Sequence, residues 1–166
     1  MLDEIHKRQH VVNRNRPKRS AKGDAFSLFA ITALRLAGRL TAAGDDLARP
    51  AGQTSARWQV LAGAQSGTHS VAQIARLLGV ARQGVQRLAD TLEADRLISY
   101  VDNPQHRRAK LVKLTNEGDA RLAAIEAAQA DWADRLGQSF TPAELEAARG
   151  VMTRLIETLD AETGKA

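Results

Sequence analysis

A mainly helical fold with a small β-wing, a winged helix-turn-helix flanked by long N- and C-terminal helices, is what this chain predicts. Three observations predict it. Alanine and leucine dominate a composition that is 43% hydrophobic but only 4% aromatic, and both are strong helix formers. Residues 71–92 hold two apolar series, Val71/Ile74/Ala75/Leu78 and Val85/Leu88/Ala89/Leu92, on either side of Gly79. Their i, i+3, i+4, i+7 spacing is that of a helix with one buried face, and glycine tolerates the positive φ of a sharp turn between two such helices. Directly after them, two short runs with β-branched or aromatic content, 97–101 and 110–114, enclose a polar, basic loop and read as the strands of a wing.

The elements follow in chain order. Residues 1–22 carry Lys7, Arg8, Arg14, Arg16, Lys18, Arg19 and Lys22 with little periodic apolar support. That marks a flexible basic arm, suited to phosphates or a minor groove and equally to service as a solubilising tail. A long helix is predicted over 24–48, with Phe26, Phe29, Ala33, Leu36, Ala37 and Leu40 along one side. Pro50 ends it, because proline disfavours helix in the residue before it. Thr54 caps the next helix, which holds Trp58, Val60 and Leu61, by accepting from a backbone N–H of the first turn. Gly67, Thr68 and His69 form a turn, and Ser70 with Gln73 makes a capping-box pattern that opens the first helix of the pair.

Ala75 is small enough to let the paired helices cross closely, and Val85 can wedge between them. On the second helix, at about 100° per residue, Arg82, Gln83, Gln86, Arg87 and Asp90 fall opposite the apolar series. Arginine can bond guanine O6/N7 in pairs, and glutamine adenine N6/N7, so this face is a candidate major-groove reader. In the wing loop 102–109, Arg107 and Arg108 are long enough to reach a minor groove or phosphates; the plain alternative is a solvated hairpin tip. Thr115 caps a helix to about Gly137 with Leu122, Ile125, Trp132 and Leu136 on one side. Thr141, Pro142 and Glu144 open the last helix as cap, first residue and capping-box partner. Its Leu145, Ala148, Met152, Leu155 and Leu159 make a narrow seam that suits packing against another helix.

The first and last helices have no evident task inside a small winged-helix core. Pairing two copies of the chain through both is the economical use; packing on each other within one copy is the alternative. The division expected is therefore an arm, 1–22, one domain, 23–160, and a tail, 161–166. Within the domain, 24–48 and 116–160 are dimerisation helices and 54–115 is the winged helix-turn-helix lobe.

The net charge of +5 is uneven. Residues 1–22 hold seven Lys/Arg against two Asp/Glu, residues 68–113 eight against four, and residues 114–166 five against ten. A phosphate-binding surface produces such an asymmetry. With no cysteine in the chain, disulfides, thiolate metal sites and thiol redox switches are excluded. No uninterrupted apolar run approaches the ~18 residues of a membrane span, and no signal-peptide apolar region opens the chain, so a cytoplasmic protein without a membrane partner is expected. His6, His10, His69 and His106 are scattered without metal-ligand spacing. No phosphate-binding glycine loop or nucleophile elbow appears, so neither enzymatic activity nor a cofactor is expected.

Taken together, the stretch TSARWQVL at 54–61, the unit 71–92, and NPQHRRAKLVKLT at 103–115 with Gly118 closely resemble the MarR family of winged-helix transcription regulators, over roughly residues 24–160. The resemblance implies a homodimer built on the terminal helices, bound to a pseudo-palindromic double-stranded operator, usually as a repressor. It also implies release by a small, often phenolic, effector held between the dimer region and the reading lobe, where Trp58 is a candidate lining residue or plain core. By position it makes Arg82, Gln83, Gln86 and Arg87 major-groove contacts and Arg108 the wing arginine, with Arg107 and His106 beside it. Ser70 and Gln73 fall near phosphates. His106 stands where many members have an aspartate that braces the wing arginine, which leaves Asp102 as the candidate brace. Ala81 stands where Ser or Thr often caps the recognition helix, and Gly84 lies inside it; both weaken that helix. A winged helix used only for protein–protein contact is the competing function.

Overall fold

The computed structural model describes residues 18–164 apart from Arg107, so most of the basic arm and that wing residue lie outside the described part. The chain divides into two compact units, Met1–Leu40 and Thr41–Ala166. The long helix α1, Ala21–Ala48, runs from the first into the second. It begins three residues earlier than its apolar pattern suggests, because the Ser20 hydroxyl accepts from the Gly23 N–H at 3.1 Å and caps it there. In the first unit Phe26, Leu28, Ile31, Leu34, Leu36 and Leu40 are all exposed. The segment Ala21–Ala51 has a mean hydropathy of 1.3 over its most apolar 18 residues and is, by length and composition, long and apolar enough to cross a membrane, which the absence of an uninterrupted apolar run did not suggest. Arg35 and Arg39 interrupt it, and each would cost about 2.5–3.5 kcal/mol at a bilayer centre. Packing against another helix uses the same apolar surface without that cost.

In the second unit a 3-10 turn, Arg49–Ala51, follows α1 around Pro50. Then come α2 (Ser55–Ala64), β1 (His69–Ser70), α3 (Val71–Leu78), α4 (Arg82–Ala94), β2 (Ile98–Val101), β3 (Leu111–Leu114), α5 (Asn116–Gly137) and α6 (Pro142–Thr163). The sheet is antiparallel in the order β1-β3-β2. Its two long strands are the expected wing. The third strand is new: His69 pairs with Val112 and Ser70 with Leu111, where a turn was expected at His69. Two residues are too few to show a period-2 pattern, so only pairing with β3 reveals them.

One core holds the lobe together. Val60, Leu61, Ile74, Val85, Leu92, Ile98, Val112 and Leu122 are almost completely buried, and they come from α2 through α5, so no single helix of the pair could fold alone. Gly79 ends α3 at φ 66°. The Val80 N–H donates to Ala75 O at 3.0 Å and the Gly79 N–H to Arg76 O at 3.1 Å, the paired bonds that close a helix at a left-handed residue. Gly118 matters for a different reason. A Cβ there would sit 1.9 Å from the Leu97 carbonyl oxygen, so only glycine lets α5 start against the end of α4's connection to β2. By contrast, α6 has its Thr141/Glu144 capping box as expected but buries none of its residues up to Glu162.

Candidate nucleic-acid interface

Helix α4, the candidate reader, starts without a side-chain cap, since Ala81 has none to offer. Its first turn is therefore held by its neighbours and by the buried face, Val85, Ala89 and Leu92. That face turns Arg82, Gln83 and Arg87 outward, exposed to solvent. Helix-to-helix bonds fix its far end. Arg57 on α2 pairs with Asp95 after the last turn of α4, and the same guanidinium donates through Nε to Gln53 Oε1 at 2.7 Å. The tie to Asp95 is not visible in sequence spacing, because its partners stand 38 residues apart.

The cations divide into two groups. Arg49, Arg57, Arg121 and Arg149 are each paired with a carboxylate. Arg82, Arg87 and Arg108 enter none of the ion pairs among the described residues. Two of these unpaired arginines, with Lys110 and Gln86, line one groove of about 240 Å³ whose floor includes Val71, Ala72 and Tyr100. The groove therefore joins the first turn of α3, the first turn of α4 and the base of the wing. It collects positive charge at the first turn of a helix, an arrangement that favours an anion. Lys110 was not singled out from the sequence, although its charge directly after the wing loop was a usable signal.

The remaining expected site residues are placed as follows. Ser70 is buried, with its hydroxyl donating to Gln73 Oε1 at 2.9 Å and its backbone N–H to the same oxygen at 2.8 Å. Its polar groups are spent on opening α3, and it lies on the groove wall rather than presenting a free hydroxyl there. Gln73 is exposed. Gln86 is half-buried and donates through Nε2 to Asp90 Oδ1 at 2.8 Å and to the Tyr100 hydroxyl at 2.9 Å, so it does not stand free on the outer face as its position on the helix suggests. Burial of its ring, then its bond to Asp90 and that carboxylate's charge, hold the Tyr100 phenol well above the usual tyrosine range.

In the wing, Asp102 does not pair with Arg108. Asn103 shapes the loop backbone: its Oδ1 accepts from the Gln105 N–H at 2.9 Å and its carbonyl from the His106 N–H at 3.2 Å. The His106 carbonyl in turn accepts from the Ala109 N–H at 2.9 Å, so His106 shapes the tip through its backbone. Trp58 packs against both Ile125 with Ala48 and Ala51 and the main core. It is partly buried and does not line the charged groove or a second groove of about 360 Å³ beside α5. Among the described residues no cluster of His, Asp and Glu could hold a metal ion.

Comparison with known proteins adds three findings. Residues 52–109 match the model of the MarR family. The chain is 38% identical over 139 residues to uncharacterized proteins of Mycobacterium bovis and Mycobacterium tuberculosis, covering 84% of this chain and 97% of each relative. Among solved structures it is similar to a MarR family transcription regulator, with 25% identity, TM-score 0.69 and coverage of 89% of this chain and 100% of that one. In fold alone it is also similar to a mutant MarR from E. coli complexed with operator DNA, with 18% identity, TM-score 0.68 and coverage of 82% and 99%.

Proposed function

The chain belongs to the MarR family of winged-helix transcription regulators, and from that premise we propose that it binds double-stranded DNA sequence-specifically, as a homodimer on a pseudo-palindromic operator, usually to repress. The observation that carries the DNA reading is the groove in which Arg82, Arg108 and Lys110 meet at the N-terminal turns of α3 and α4. A backbone phosphate seated there positions the duplex, and places the exposed Arg82, Gln83 and Arg87 along the major groove. Support for the homodimer is the apolar surface of α6, where Leu145, Val151, Met152 and Ile156 are exposed; patches of this kind mark protein contacts. Effector release is the third part of this reading. It rests on the groove beside α5, lined by Leu47, Pro50, Ala51, Ala120 and Ala124, with the Arg121–Glu117 ion pair on one side, which has the apolar walls and few polar groups of a small-molecule site.

Fluorescence anisotropy on the chain's own upstream DNA, against scrambled DNA over a salt series, tests the reading. Preferential binding with a log–log salt slope of about −0.9 for each neutralised phosphate is expected. Arg82→Ala and Arg87→Ala should each cost about 1–3 kcal/mol on the preferred DNA and relax base preference. Arg108→Ala should weaken all duplexes alike and leave the melting temperature unchanged. A flat salt response with no sequence preference would sink the DNA reading and favour a protein–protein module.

A further inference from the structure

Gln86 is the candidate base reader whose chemistry its surroundings constrain most. Its Nε2, the Tyr100 Oη and the Asp90 Oδ1 form a closed triangle with sides of 2.8, 2.9 and 2.9 Å. A carboxylate can only accept, so two hydrogens point at Asp90, one from the Gln86 amide and one from the Tyr100 phenol. The phenol has spent its only hydrogen and must accept the other amide hydrogen. Both N–H bonds of Gln86 are therefore committed, while its Oε1 has no partner among the described residues. The triangle spans α4 and β2, and Gln86 and Tyr100 both line the groove that holds Arg82 and Arg108.

A free glutamine recognises adenine with two bonds, accepting from N6–H and donating to N7. The committed amide can still accept, but cannot donate to N7. We propose that Asp90 and Tyr100 act as positioning residues that convert Gln86 into an acceptor-only reader of the major groove. It then selects a base that offers an exocyclic amino hydrogen, adenine through N6 or cytosine through N4, and rejects guanine and thymine, which present oxygen acceptors at that edge. The inference rests on the DNA-binding reading above and goes further by assigning what one position of the site accepts. It also explains why a half-buried tyrosine carries its hydroxyl to the surface of a recognition helix. Removing the two acceptors should restore the two-bond contact to adenine.

The test selects binding sites from a pool of random-sequence duplex DNA with the full-length chain, and locates the position at which Gln86→Ala erases base preference. Duplexes are then compared with adenine, cytosine or 7-deazaadenine there, the last lacking the N7 acceptor. The wild-type chain should bind adenine and cytosine within about threefold of each other and be indifferent to 7-deazaadenine. Asp90→Ala/Tyr100→Phe should favour adenine by about tenfold, within the range of a two-bond contact, and lose that preference on 7-deazaadenine. Adding Gln86→Ala should abolish both effects. A wild-type chain already sensitive to loss of N7 overturns the inference without any variant, and so does a folded double variant with unchanged preference. Tyr100→Phe alone serves where the double variant does not fold. Recovery of no common sequence by the wild-type chain overturns the DNA reading itself, and is distinct from recovery of a sequence read through N7.

Discussion

Helices α4 and α6 are both amphipathic, yet one is built into a core and the other is not. α4 buries Val85, Ala89 and Leu92 and is tied at its end by Arg57 and at its middle by Tyr100. α6 has the better start, with a cap, a proline and a capping-box glutamate, while its Leu145, Val151, Met152 and Ile156 stay exposed. Local signals therefore decide that a helix forms, and tertiary burial decides what holds it. The helix with the weaker local signals is the one that must be placed accurately, since its outer face is the candidate reader. The helix with the stronger ones leaves its apolar residues exposed.

The largest expected effect tests that difference directly. Leu92→Ala, at a fully buried position, should lower stability by about 2–5 kcal/mol in urea unfolding. Leu145→Ala, at a position 48% exposed, should cost under about 1 kcal/mol in a dilute sample. Comparable losses at both would show that α6 is packed as α4 is.

A smaller effect separates folding from assembly. Met152→Glu should leave the circular dichroism of the dilute chain unchanged, and raise the concentration at which sedimentation shows dimers by about tenfold, as expected for burying an unpaired charge in an interface. An unchanged dimer would move the interface off this face of α6.

The smallest effect concerns the start of α6. Bonds from the Thr141 backbone N–H and then its hydroxyl hold the Glu144 carboxyl below the usual carboxylate range. Because the folded pKa is the depressed one, the cap contributes above the ordinary glutamate pKa and is lost as pH falls through the folded value. The Thr141 amide resonance should titrate with a midpoint below that of a free glutamate, and Glu144→Gln should remove the titration while α4 resonances stay still. A midpoint at the ordinary value would mean the capping box is not formed in solution.

Much of the fold was legible in the sequence because its signals are local. The two apolar series, the left-handed Gly79 and the Thr54, Thr115 and Thr141 caps all act within a few residues of themselves. The exposure of Arg82, Gln83 and Arg87 follows from the same periodicity. What the sequence by itself determined is thus which helices and which two wing strands form, and which face of each helix is apolar. Tertiary structure alone decided that His69 joins a third strand and that Arg57 ties α2 to the end of α4. It also decided that Gly118 must admit the Leu97 carbonyl and that Tyr100 and Asp90 claim the Gln86 amide. The physical reason is the nature of hydrogen bonding and close packing: a polar group takes whichever partner folding brings within about 3 Å, and for Gln86 that partner arrives from a strand 14 residues further along the chain.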